Sequence, residues 1–279
     1  MRGQWLRAAR VVHPFPTAAN GLAVVLFAVI ATHGTPPPGT TARLVATILL
    51  IQCAIGAAND AVDVDLDRAT KPWKPIPSGA IGRGGAWTVA ALAALTAAVL
   101  AALSGPGAWL LAMAGLACGL AYDLRLKRSA WSAVPYMLAL PLLPLWVWVA
   151  LGRYRPALLW VYPLGALLGI SLYLGNTAPD IAGDSSVGVR GAAHRLGERN
   201  AVRLSWVAFA LAIAGGAALA PVVGLDEQLV LPIAAAAAAL LVLAIVVARS
   251  WRPEALLRGW GVQIVATLLF AVGWLAALP

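Results

Sequence analysis

The chain has 279 residues, 61% of them apolar and only 11% charged, with a net charge of +9. A soluble domain carries roughly 45–50% apolar and 25% charged residues, so this composition excludes one and indicates a polytopic membrane protein. The basic excess does not point to nucleic acid, because Lys and Arg sit in short loops between apolar runs, where membrane orientation accounts for them.

Met1–Pro16 holds Arg2, Arg7 and Arg10 together with Trp5, His13 and two prolines. It lacks the basic-then-apolar order and cleavage site of a signal peptide, and reads as a short interfacial segment. Apolar spans follow at about 17–33, 40–58, 86–104, 107–121, 131–151, 156–178, 201–221, 228–248 and 259–278. They predict an all-α bundle of nine transmembrane helices. Several are rich in Ala, such as "AALAALTAAVLAAL" and "IAAAAAALLVLAIVVA", which suits close helix packing. Cys53 and Cys118 fall inside spans and read as small packing residues without a disulfide framework.

Seventeen of the twenty Lys and Arg lie in the N-terminal segment and every second loop. This places those segments in the cytoplasm and the C-terminus outside the cell membrane. The same segments hold nine of the eleven acidic residues, which orientation does not require. Most belong to two motifs.

The first motif follows span 2 and reads "NDAVDVDLDRATKPWKPIPSG". Asn59, Asp63 and Asp67 are four residues apart; Asp60 is turned about 100° from Asn59, and Asp65 lies roughly opposite Asp63. The second, "NTAPDIAGD", ends span 6 and repeats the spacing at Asn176, Asp180 and Asp184. Residues i and i+4 stack on one helix face about 6 Å apart. Each stretch thus stacks one amide and two carboxylates, whose repulsion costs a few tenths of a kcal/mol per exposed pair.

Lys or Arg alone could balance that charge, but an oxygen-only donor set suits a hard divalent cation. Magnesium takes one or two carboxylates plus phosphate oxygens. Basic residues nearby would take the remaining phosphate oxygens: Lys71 and Lys74, then Arg125, Lys127 and Arg128 in "YDLRLKR", then Arg190 and Arg195 in "GVRGAAHRLG". Asp65 and Asp123 stay open between site and solvated charge. Of the three histidines, His194 is weighed as a base and His13 and His33 read as bystanders. In span 5, "VPYMLALPLLPLWVWVALG", Pro135, Pro141 and Pro144 predict a distorted helix. Tyr136, Trp146 and Trp148 offer aromatic faces to a carbocation or form an interfacial belt.

At these residues the chain resembles the UbiA superfamily of intramembrane prenyltransferases, in "NDAVDVDLD…KPIPSGAI", "YDLRLKR" and "DIAGDSSVG…RLG". The resemblance implies one domain, 1–279, with nine helices around a central cavity. Its pseudo-repeat halves are about 17–121 and 131–248, with a ninth helix at 259–278. It implies Mg2+ ligands at Asn59, Asp60, Asp63, Asp67, Asp180 and Asp184. It implies catalytic roles for Asp63, Asp67, Asp180, Asp184 and Lys127. Diphosphate contacts fall to Asn59, Lys71, Lys74, Tyr122, Lys127, Arg128, Asn176 and Arg190. Departures are Lys74 and Gly191, where many members have Arg and Thr, and Asp123, where Ser is frequent.

The expected activity is magnesium-assisted ionisation of an isoprenoid diphosphate and prenyl transfer to a lipophilic acceptor or an aromatic quinone precursor. A terpene cyclase needs the same site without an acceptor. A transporter is the more distant alternative, since carboxylates in membranes often mark ion paths, but no ionisable residue lies clearly at midplane.

Overall fold

A computed structural model describes residues 9–181, 183 and 190–278. Among them the chain is helical throughout, without strands. The helices are α1 (Pro14–Ala31), α2 (Pro38–Val62), α3 (Val64–Thr70), α4 (Arg83–Ala102), α5 (Pro106–Leu124), α6 (Val134–Ala150), α7 (Val161–Thr177), α8 (Ala192–Leu196), α9 (Glu198–Val223), α10 (Glu227–Ala248) and α11 (Pro253–Ala276). Short 3-10 turns precede α1, α6 and α7, and another, Ala178–Asp180, follows α7. Seven helices are long and apolar enough to cross a membrane, and Thr17–Ala31 and Val134–Ala150 are shorter apolar helices. All nine expected spans coincide with one of these.

Proline sets several starts. Pro14, Pro38, Pro106 and Pro253 each open a helix, where the missing N–H costs nothing and φ is already helical. Helix α11 starts six residues before the expected 259, at Pro253, and α2 continues past the expected end at 58 to Val62. Asn59 and Asp60 therefore lie within the helix. Charge suggested an exit there, but Asn59 bonds Asp123 and Asp60 Oδ1 accepts from Lys74, so the Ala-rich helix continues.

Two compact units emerge: Met1–Arg125 with Leu142–Tyr154, and Leu126–Pro141 with Arg155–Pro279. In the first, α4 turns a stripe of Ala86, Ala90, Ala93, Ala97 and Ala101 inward and leaves Leu92, Leu95 and Val99 well exposed. Small residues inside and large apolar ones outside is the pattern lipid favours, because close backbone approach replaces hydrophobic sorting. Gly119 of α5 likewise backs onto the Ile55 side chain of α2. The segment before α1 is more than interfacial: Val11 is buried with Ala57, Ala58, Ala61, Val64, Ile76 and Ala90.

In the second unit, α10 repeats the stripe with Ala234, Ala237, Leu241, Ala244 and Ala248. Gly259 of α11 meets the Ala244 carbonyl and Gly169 of α7 meets that of Tyr136. Gln263 bonds Ser171 and Ser205, and all three are buried. Helix α6 belongs to the second unit up to Pro141 and to the first from Leu142. It runs unbroken through Pro141 and Pro144, where distortion was expected, since membrane helices tolerate proline when neighbours pack the freed backbone. Gly165 packs directly on Pro141.

Candidate functional site

The first acidic motif folds as two helices sharing one hinge. Helix α2 ends and α3 begins at Asp63, whose φ of −86° and ψ of 10° fall outside the α region. The i to i−4 ladder nevertheless survives: the N–H groups of Asp63, Asp67 and Lys71 donate to the carbonyls of Asn59, Asp63 and Asp67 at 2.9, 2.8 and 2.7 Å. The four-residue column expected from spacing is therefore physically present.

Asp60, Asp63 and Asp67 are each at most 3% exposed. Burying carboxylates requires partners, and the first unit supplies them. Lys74 donates to Asp60 Oδ1 at 2.9 Å and to Asp67 Oδ2 at 2.7 Å. Asn59 donates to Asp63 Oδ2 at 3.3 Å and to Asp123 Oδ1 at 2.7 Å. The His13 ring lies 3.1 Å from Asp60 Oδ1 through Nε2. Asp60 Oδ2 is buried without a hydrogen bond.

The loop after α3 explains how Lys74 arrives. Its backbone closes on itself through Ser78 N–H to the Lys74 carbonyl and Ala80 N–H to that of Pro75. Gly79 takes a φ of 72° that a side chain would resist, and Ile76 anchors the loop in the apolar cluster. The "KPIPSG" stretch is thus a built turn that aims one ammonium at two carboxylates. Burial opposes the charge on Lys74, but hydrogen bonds to Asp67 and Asp60 outweigh it and hold its pKa above the ordinary lysine value.

Other expected residues stand apart. Lys71 is exposed beyond the column, and Tyr122 is half-buried. Asp65 is a surface residue paired with Arg68, their side chains 81% and 65% exposed. In the second unit Asn176 and Asp180 are exposed, whereas their counterparts Asn59 and Asp63 are half-buried and buried; Asp184 lies outside the described residues. Arg128 and Arg190 are exposed and Lys127 half-buried. Gly191 brings the Lys127 and Arg190 segments side by side, since a Cβ there would sit 2.9 Å from the Lys127 carbonyl and Ser132 Oγ and 3.1 Å from Tyr173 Oη. Ser132 and Tyr173 share a hydrogen bond and accept the N–H groups of Ala192 and Ala193.

The aromatics of α6 divide between the units. Trp146 and Trp148 are at most 3% exposed, too buried for an interfacial belt, and Trp148 lies against Phe27 with ring centroids 6.3 Å apart. Tyr136 packs on Tyr173 at 5.4 Å.

Two residues gained importance beyond their sequence signal. His13 and Asp123 reach the motif from 47 and 64 residues away. Gly56, one turn before Asp60, is the trace such a contact leaves, because a Cβ there would meet the His13 ring.

A cation fits this donor set. Every motif donor is oxygen, as magnesium prefers, and Asp60 offers a buried oxygen, Oδ2, that has no hydrogen bond among the described residues. Among the described residues no three His, Cys, Asp or Glu converge as a preformed cage. Magnesium at phosphate sites uses few carboxylates and completes its shell with water and substrate.

Known proteins resemble the chain along most of its length. A digeranylgeranylglyceryl phosphate synthase from Methanoregula boonei is 29% identical over 215 residues, 74% of each chain. A UbiA homologue from Aeropyrum pernix K1 superposes with a TM-score of 0.74 at 20% identity, over 92% of this chain and 96% of its own. One from Archaeoglobus fulgidus, solved with GPP and Mg2+, gives 0.73 at 17% identity, over 97% and 99%. These superpositions establish the fold. The UbiA prenyltransferase family model matches residues 21–260, and the chain belongs to that family.

Proposed function

We propose that this membrane prenyltransferase ionises an isoprenoid diphosphate with Mg2+ and passes the prenyl group to a lipophilic acceptor bearing a glyceryl phosphate. The observation that carries the proposal is the buried set Asp60, Asp63 and Asp67 beside Lys74, with Asn59 half-buried at its edge. The GPP and Mg2+ bound to the Archaeoglobus fulgidus homologue support the substrate class. The name of the Methanoregula boonei relative favours a glyceryl phosphate over an aromatic ring as acceptor.

Asn59, Asp60, Asp63 and Asp67 would hold the ion, with Asp180 and Asp184 as further ligands on the strength of their matching spacing. Magnesium supplies positive charge to a departing diphosphate. Lys74 bonds Asp60 and Asp67, offsetting one of their two charges, and has a third proton to offer a phosphate oxygen. Lys71, Tyr122, Lys127, Arg128, Asn176 and Arg190 are the proposed remaining diphosphate contacts, Lys127 with a catalytic role. Apolar helices keep water from capturing the allylic cation. Residues 1–279 act as one domain, with the N-terminus in the cytoplasm and the C-terminus outside.

The test is product analysis by mass spectrometry on protein in nanodiscs with GPP and Mg2+. The acceptor is a prenylated glyceryl phosphate, 4-hydroxybenzoate or none. Transfer to the glyceryl phosphate, lost with EDTA and in Asp63→Asn and Asp180→Asn, is expected. Cyclic products without acceptor would replace the transferase reading with a cyclase. Release of no diphosphate under any condition would overturn both.

A further inference from the structure

His13 sits between the 3-10 turn Ala9–Val12 and Pro14 of α1, with φ 49° and ψ 69°. A residue with a side chain adopts this left-handed conformation only when its surroundings hold it there. Here they do so on both sides. Upstream, Val11 is buried in the first unit's apolar cluster. Downstream, Thr17 donates its N–H to the His13 carbonyl at 3.2 Å and its hydroxyl to the Val12 carbonyl at 2.7 Å.

The ring is then received by α2 at two stacked positions. At Gly56 a Cβ would come within 3.1 Å of the Val11 carbonyl and 3.2 Å of the ring carbon Cδ2. A side chain at this position would press on the imidazole and on the Val11 carbonyl. One turn later, Asp60 Oδ1 meets Nε2 at 3.1 Å. With the proton on Nε2 the ring donates and the carboxylate accepts.

The effect on Asp60 is specific. Asp60 is the buried motif carboxylate outside the Asn59–Asp63–Asp67 column, so the helix ladder does not aim it. Its Oδ1 is taken twice, by His13 and by Lys74 at 2.9 Å. Its Oδ2, buried and without a hydrogen bond among the described residues, is left as the oxygen a cation can use. Lys74 alone could follow a rotating carboxylate, because a lysine stem is flexible. A ring locked by backbone and packing cannot.

We propose that His13 is a positioning residue: it fixes the rotation of Asp60 so that Oδ2 faces the cation of the diphosphate site. This rests on the proposed magnesium-dependent binding of an isoprenoid diphosphate. A ligand's supporting hydrogen bond changes metal affinity by about 10- to 100-fold when removed, and that effect sets the test.

Wild type, His13→Ala, His13→Asn and His13→Gln are titrated in nanodiscs with Mg2+ at fixed GPP, and GPP binding is read by calorimetry. Gln places an N–H near the position of Nε2, whereas Asn stops short of Asp60. His13→Ala and His13→Asn should raise the Mg2+ midpoint about 10-fold while GPP binding recovers at saturating Mg2+. His13→Gln should stay close to wild type. Should His13→Ala fail to fold, the Asn and Gln variants decide, each checked by thermal melting. Wild-type midpoints in Ala or Asn, or equal midpoints for Asn and Gln, overturn the role of His13 and leave the site intact. A wild type that binds no GPP with Mg2+ overturns the site itself, and this inference with it.

Discussion

Asn59 donates its side-chain amide to Asp123 Oδ1 at 2.7 Å, joining α2 to a carboxylate 64 residues further along the chain. The same nitrogen reaches Asp63 Oδ2 at 3.3 Å. Both contacts use Nδ2, so the amide of Asn59 bridges the two carboxylates through its nitrogen. Asp123 is only 6% exposed, which strengthens the contact by removing competing water.

Removing that acceptor should loosen Asn59. Asp123→Ala is expected to lower stability by about 1–3 kcal/mol, the cost of a polar group left unsatisfied. It should also raise the Mg2+ midpoint for GPP binding. Asp123→Asn keeps an oxygen that can accept and should lie nearer wild type. Thermal melts and Mg2+ titrations check both, and an Ala variant unchanged in each would count against the contact.

The four aspartates of the first motif should separate sharply by burial. Asp65 and Arg68 form a solvated pair, 81% and 65% exposed, worth about 0–1 kcal/mol. Asp65→Asn should therefore leave turnover and melting near wild type. Asp63→Asn and Asp67→Asn remove buried charge and should reduce turnover about 100-fold or more. Steady-state kinetics on the three variants, with folding confirmed by melting, gives the comparison. Equal losses at all three positions would contradict the burial pattern.

Hydropathy made the nine apolar helices among the described residues legible because lipid admits only long apolar runs, and the i, i+4 spacing of Asn59, Asp63 and Asp67 survived as a real ladder. What stayed hidden depends on contacts between elements. His13 looked like a bystander because nothing within ten residues of it is acidic; its partner is Asp60, brought close by Val11 packing and Gly56. Asp123 stood undecided for the same reason. The two motifs share a spacing but not a setting: Asp63 and Asp67 are buried, whereas Asp180 is exposed. Periodicity reports which residues share a face, not what covers that face.

Gly191 is a further case in which contact decides identity. Family members often carry Thr there, yet a Cβ would lie 2.9 Å from two atoms and 3.1 Å from a third. One of the two nearest is backbone, which cannot swing aside. Gly191→Ala should destabilise by about 1–3 kcal/mol through overpacking. Ser132→Ala in the same chain removes the other near atom, Oγ, and should recover part of the loss. Melting of the single and double variants measures it. A Gly191→Ala protein as stable as wild type would mean that the segment carrying Lys127 yields more readily than its packing implies.

Lys74 gives a prediction in pH. Burial works against its ammonium, but the bonds to Asp67 and Asp60 prevail and raise the folded pKa above the ordinary 10.5. A raised pKa means the folded state holds the proton more tightly than the unfolded one. The stabilisation is therefore complete below the ordinary value and is lost as pH climbs through the folded one. Lys74→Met, which strands two buried carboxylates, should cost about 3–5 kcal/mol. That penalty should stay constant from about pH 6 to 9 and shrink only in strongly alkaline solution, beyond the unperturbed lysine pKa. The measurement is denaturation of wild type and Lys74→Met across pH in EDTA, so that no metal substitutes for the lysine. A penalty that varied between pH 6 and 9, or none at all, would show that the ammonium does not balance Asp60 and Asp67.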